Sequence, residues 1–350
     1  MGLEKDNSIA SVSSLPQLFL ELIDLVSNDS ADTFSRKSQV LAEIRQTLVK
    51  RETVAALTKE ADNNAPQGSV LHSFQQCLQP QSPHELRVIG LTQLFHMIGH
   101  SLPVESRLAT IGALLRCQIP QIIVDKCLFD EKIAVAEAAA KFLVRFATDP
   151  SDQIANLFFS NQNENSSNVS SSSSSPSSST SNNDICLAAL IGSKLNNSSE
   201  IGSVRVFDLI IEVLVDSEIS AARVEKSNAC LSVLQTFANQ LNTDDVLLKL
   251  NLVGLTVKLC SSEKGLSIFQ SFGILGSFFN LLNELKSSTD AFTIMFAIHV
   301  IRCLGDIGSN EIYHQFAEEE MKSAQMLLKI QTLTQKFKDD DNFKDLIAEC

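Results

Sequence analysis

His96 and His100 stand four residues apart, the spacing that brings two imidazoles together on one helix as in zinc proteases. That chemistry also needs a general base such as glutamate directly after the first histidine, and position 97 is methionine. Core or edge histidines are therefore expected here rather than metal ligands. Eight cysteines lie ten or more residues apart, so no Cys-x-x-Cys pair points to zinc or redox work, and buried, reduced thiols are expected. No Gly-x-Ser-x-Gly elbow and no Gly-x-x-x-x-Gly-Lys-Ser/Thr loop occurs, which leaves catalysis without a positive sign. We expect a protein that is not an enzyme and carries no cofactor or metal. The polar group that invites a functional reading is instead Arg205, Asp208 and Glu212, at i, i+3 and i+7, which share one face of a helix.

The elements that position such a face are legible from periodicity. Leu, Ala, Ile and Phe dominate, with one Tyr and no Trp among 350 residues, and they fall in segments spaced as amphipathic helices. Ser14-Leu15-Pro16 supplies an N-cap with proline in the first turn, predicting a helix to about residue 26. Further helices are predicted over 33–49, 52–61, 69–78 and 84–98. Residues 1–13 read as a disordered tail, 14–160 and 185–338 as two blocks of helical repeats, and 339–350 as an acidic tail. Residues 161–184 are mostly Ser and Asn, cannot bury enough apolar surface to offset their ordering entropy, and read as a disordered insertion.

A triplet of apolar, basic or small, and apolar residues opens a long apolar helix at Leu86-Arg87-Val88, Ile133-Ala134-Val135, Val204-Arg205-Val206, Leu248-Lys249-Leu250 and, more weakly, Phe292-Thr293-Ile294. With the 24-residue serine tract set aside, the triplets recur every 44–47 residues, the period of HEAT and armadillo repeats. Within the period, Ile119-Pro120-Gln121-Ile122-Ile123 and the stretch from Gly273 to Leu282 match the armadillo second helix, and Ala138 to Ala147 matches the third. The predicted fold is all-α, an armadillo/HEAT-like right-handed superhelical solenoid with third helices along its concave side. By repeat equivalence the polar face then extends from Glu137 and Lys141 through Arg205, Asp208 and Glu212 to Lys249, a mixed-charge stripe suited to binding another protein. Solvated ion pairs of ~0.2–0.5 kcal/mol each are the plainer reading of the same residues.

A net charge of −13 with pI near 4.9 argues against nucleic acid, whose phosphates need clustered Lys and Arg. The uncharged, partly apolar stretch 266–283 contains Ser, Gln, Asn and Gly, so no membrane segment is expected. The first residues lack the apolar core of a secretory signal, placing the expected site of action in the cytoplasm or the nucleus.

Beyond the general repeat, the segment from Ser203 to Val213, Asp245 to Lys249, Gly265 with the stretch from Gly273, and 292–304 resemble consecutive repeats of the family of 26S proteasome non-ATPase regulatory subunit five. Leu86 to Leu94 and Ile133 to Lys141 resemble its earlier repeats, so the likeness runs over about 85–328. The resemblance implies a chaperone in assembly of the base of the proteasome regulatory particle, a monomer that binds the C-terminal domain of AAA-type ATPase subunits. The alternative is a general armadillo-type adaptor or scaffold. An import receptor is disfavoured within that class, because its ladder of Trp and Asn has no counterpart in a chain without Trp.

Overall fold

The computed structural model describes residues 15–28, 33–159, 186–195, 198–241, 243, 245–272, 314 and 335. Among them the secondary structure is helical, with no strand. The chain divides into two compact units, 1–196 and 197–350. The first holds α1 (Leu15–Ser27), α2 (Thr33–Leu48), α3 (Arg51–Asp62), α4 (Val70–Cys77), α5 (His84–Met97), α6 (Val104–Arg116), α7 (Ile119–Lys126), α8 (Ile133–Ala147), α9 (Asp152–Phe159) and α10 (Leu187–Leu195). The second holds α11 (Glu200–Asp216), α12 (Glu218–Lys226), α13 (Asn228–Gln240), α14 (Val246–Cys260) and α15 (Glu263–Ser271).

Local signals set the helix starts. Ser69, Ser199, Ser217, Ser227 and Ser262 each accept a hydrogen bond from the backbone N–H three residues on, and Asp245 does the same for Leu248. Pro83 and Pro103 stand immediately before α5 and α6, where a missing N–H costs nothing. Gln118 adopts φ 55° and turns the chain sharply between α6 and α7, and Pro120 then lies in the first turn of α7.

In the first unit the helices stack in three columns. The first column is α3, α6 and α9, the second is α1, α4, α7 and α10, and the third is α2, α5 and α8. Each of the triplets α3–α5 and α6–α8 contributes one helix to every column, so the sequence period is a spatial one. In the second unit α11 packs against α12, α13 and α14, and α14 against α15. This arrangement is that of an α-solenoid. The triplets beginning at Leu86 and Ile133 open two neighbouring helices, α5 and α8, and those at Val204 and Leu248 open the neighbours α11 and α14. Ile119 to Ile123 and Ala138 to Ala147 fall on α7 and α8, the second and third helices of one triplet.

The core is aliphatic and phenylalanine-rich. Phe19 of α1 meets Phe74 of α4 edge to face at 4.9 Å, Phe146 of α8 meets Phe158 of α9 at 6.4 Å, and Phe207 of α11 meets Phe237 of α13 at 5.4 Å. Leu209 and Val253, which the phase of the apolar pattern marks as repeat cores, are buried. Phe278, Leu282 and Leu304, with the same expectation, lie outside the described residues, as do the serine tract, the N-terminal tail, the acidic C-terminal tail and the repeat from Gly273. Gly265 opens α15 against the end of α14, and a Cβ there would overlap the Leu259 carbonyl. Among the described residues no single helix is long and apolar enough to cross a membrane.

Candidate protein-binding site

On α8, Val135, Ala136, Ala139, Phe142, Leu143 and Phe146 form the buried face, which leaves Glu137 and Lys141 in solvent. Neither is within ion-pairing distance of an opposite charge among the described residues. On α11, Val206, Phe207, Leu209, Ile210, Val213 and Leu214 are buried, and Arg205 and Asp208 are half-buried while Glu212 is exposed. Lys249 is half-buried in the first turn of α14. The six candidate residues thus divide between the two units, two in the first and four in the second.

The carboxylates of α11 have a partner that the sequence did not indicate. Lys258 Nζ, in the last turn of α14, donates to Asp208 Oδ1 at 2.6 Å and lies 3.5 Å from Glu212 Oε2. Its signal was hidden because Lys258 sits two turns beyond Lys249, the position that repeat equivalence singles out. Leu252 and Thr256, the other equivalents on α14, are buried, and the Thr256 hydroxyl donates to the Leu252 carbonyl. The polar face on α14 is therefore carried by its ends. With Lys258 35% and Asp208 45% exposed, the pair adds ~0–1 kcal/mol and serves to fix geometry.

The two histidines do not share a helix. α5 ends at Met97, and Gly99 N–H closes a tight turn on the His96 carbonyl at 3.2 Å, so His100 leaves the helix axis. His100 Nε2 lies 3.1 Å from the Arg145 carbonyl, whereas His96 Nε2 meets Arg45 of α2. Burial, reinforced by the positive charges of Arg45 and Arg145, holds the His96 pKa below its ordinary value.

Two arginines whose burial and pairing the sequence did not indicate join successive triplets. Arg87 of α5 donates to Asp130 Oδ2 at 2.5 Å, and Asp130 Oδ1 accepts the Lys132 N–H just before α8. Arg107 of α6 forks onto both carboxylate oxygens of Asp149 at 2.9 and 3.0 Å, and Asp149 Oδ1 accepts the Ser151 N–H just before α9. The pairs are separated by 43 and 42 residues, close to one repeat. Each aspartate both shapes the turn into the next helix and neutralises a guanidinium from the triplet before. Arg107 and Asp149 are 2% and 1% exposed, a degree of burial that a charged residue tolerates only when paired.

The six described cysteines are buried, as expected. Burial pushes Cys77 up to about 12, and it also raises Cys117, Cys127 and Cys186.

A comparison with curated proteins finds no match. A comparison with protein families matches residues 104–332, from the start of α6 onward and well over half of the chain, to the proteasome non-ATPase 26S subunit family. That match covers enough of the chain to show that it belongs to the proteasome non-ATPase 26S subunit family.

Proposed function

We propose that this protein is a non-enzymatic chaperone in assembly of the base of the 26S proteasome regulatory particle, akin to regulatory subunit five. It binds the C-terminal domain of AAA-type ATPase subunits as a monomer in the cytoplasm or the nucleus. The observation that carries this reading is the family match over 104–332, which associates the chain with the proteasome. The helical columns of the first unit support it, since stacked helices present faces on which a folded domain can dock. The binding residues are Glu137 and Lys141 on α8 and Arg205, Asp208, Glu212 and Lys249 on α11 and α14. A mixed-charge face suits a partner that must later leave, because such charges steer encounter and select partners more than they add affinity.

The test is direct. Purified C-terminal domains of the proteasomal ATPases are titrated one by one against the full chain. Capture of at least one at micromolar concentration is expected, and the double variant Arg205→Glu with Lys249→Glu weakens it, more so at low salt. Failure of every domain to bind overturns the chaperone reading. Binding that survives the double reversal moves the contact elsewhere on the chain.

A further inference from the structure

The third column of helices is open between α2 and α5. Lys37 pairs with Glu85 near the start of the two helices, and Arg45 meets Nε2 of His96 near their ends. Between these two bridges is a cavity of about 380 Å³, walled by Leu41, Ala42, Val88 and Ile89. The α2 backbone rises ~12 Å from one bridge to the other. About four residues of extended chain span that distance.

Three features of the groove call for the same kind of ligand. First, Gln93 lines the cavity and is 5% exposed, yet its Oε1 has no hydrogen-bond partner among the described residues. An unsatisfied buried acceptor costs ~1–3 kcal/mol, which a donor entering the cavity would recover. Second, two guanidinium groups stand at the His96 end with no carboxylate paired to them among the described residues. Arg45 is exposed and contacts the imidazole, and Arg145 lies over the Phe95 ring at 4.2 Å. The carboxylate nearest the other end, Glu85, is already taken by Lys37. Such a cationic spot is conspicuous on a chain with a net charge of −13. Third, Phe34, Ser38, Leu41 and Arg45 fall at i, i+4, i+7 and i+11 on α2 and so form one stripe. Phe34 is 73% exposed, and it continues the apolar wall beyond the cavity.

We propose that the α2–α5 groove is a docking site for a short extended segment of a partner protein that combines apolar and acidic side chains. An apolar side chain fills the cavity against Leu41, Val88 and Ile89. A carboxylate meets Arg45 and feels Arg145 beside it. A backbone N–H of the segment donates to Gln93 Oε1. A phosphate or nucleic-acid strand would leave the apolar walls and the Gln93 acceptor unused. The proposal stands on this groove alone and does not rest on the chaperone reading.

The experiment uses the full chain and two fluorescein-labelled peptides read by anisotropy. One is Ser-Gly-Leu-Val-Leu-Asp-Glu, and the other carries lysine in place of its two acidic residues. The acidic peptide is expected to bind at least ~10-fold more tightly than the basic one, as charge-assisted contacts require. Arg45→Glu abolishes that preference, Gln93→Leu weakens binding severalfold, and Ala42→Trp blocks it by occupying the groove. Arg45 and Ala42 are exposed, so these two variants keep the parental fold, and an overlaid thermal melt verifies it. Arg205→Glu with Lys249→Glu leaves peptide binding unchanged, which separates this site from the ATPase-binding face. The proposal is overturned if neither peptide binds by ~1 mM, if both bind equally, or if the folded Ala42→Trp chain still binds.

Discussion

Two junctions in the third column join the same kinds of helix and differ in what lies between them. At α5–α8 the helices close up, and α8 carries Ala136 and Ala139, both fully buried. Arg145 of α8 lies across Phe95 of α5, and Arg87 of α5 reaches Asp130 at the head of α8. At α2–α5 the facing residues of α2 are Ser38, Leu41, Ala42 and Arg45, of which only Leu41 is half-buried. There the helices are held at their ends by two bridges, Lys37 to Glu85 and Arg45 to His96, with a cavity between. A repeat can therefore conserve its column while changing what the column does. Buried side chains with internal ion pairs make a spine, and more exposed ones make a groove.

The contrast is sharpest for ion pairs. Asp149→Ala strands Arg107 in the core and is expected to destabilise the chain by ~3–5 kcal/mol in urea unfolding. Lys37→Ala, at the open junction, is expected to cost under ~1 kcal/mol by the same measurement, because Glu85 keeps its water. Equal losses would mean that the bridge between α2 and α5 carries the unit as much as the buried fork does. For packing, Ala139→Leu forces extra volume into a closed site, with ~1–3 kcal/mol lost on thermal unfolding. Ala42→Leu, at an exposed position, should change stability by within ~0.5 kcal/mol. The smallest effect concerns His96. Its folded-state pKa lies below the ordinary 6.5, so the unfolded chain binds the extra proton more readily. Its contribution is full above pH ~6.5 and is lost as pH falls through the lowered value. His96→Gln should flatten that part of the pH–stability curve, and an unchanged slope would contradict the assignment.

The helices were legible because their starts carry local chemistry. The segments predicted at 33–49 and 84–98 appear as Thr33–Leu48 and His84–Met97, within a residue of expectation at each end. The register of the third helices was also legible, since a triplet repeated at a fixed period needs no knowledge of neighbours. What escaped was every pairing made across that period. Arg87 and Arg107 look like ordinary surface charges on amphipathic helices, and Asp130 and Asp149 like ordinary turn residues, until stacking places each arginine over the turn one triplet later. Lys258 was missed for a related reason, because a long side chain reaches a carboxylate more than a turn away from its own repeat equivalent. The α2–α5 groove belongs to neither helix and exists only in their spacing.

The distribution of thiols turns the protein into its own recorder of local opening. Cys77 lies on α4, Cys117 and Cys127 follow α6 and α7, Cys186 precedes α10, Cys230 lies on α13 and Cys260 ends α14, and all six are buried. A thiol pushed up to about 12, as at Cys77, presents almost no thiolate to a reagent while its helix is closed. Alkylation of each cysteine therefore waits for its own helices to part, and its rate reads the free energy of that parting. Mass-resolved labelling over time would yield a stability profile along the stack without introducing a single probe, and occupation of a groove or face by a partner would register as slowed labelling in the helices beneath it.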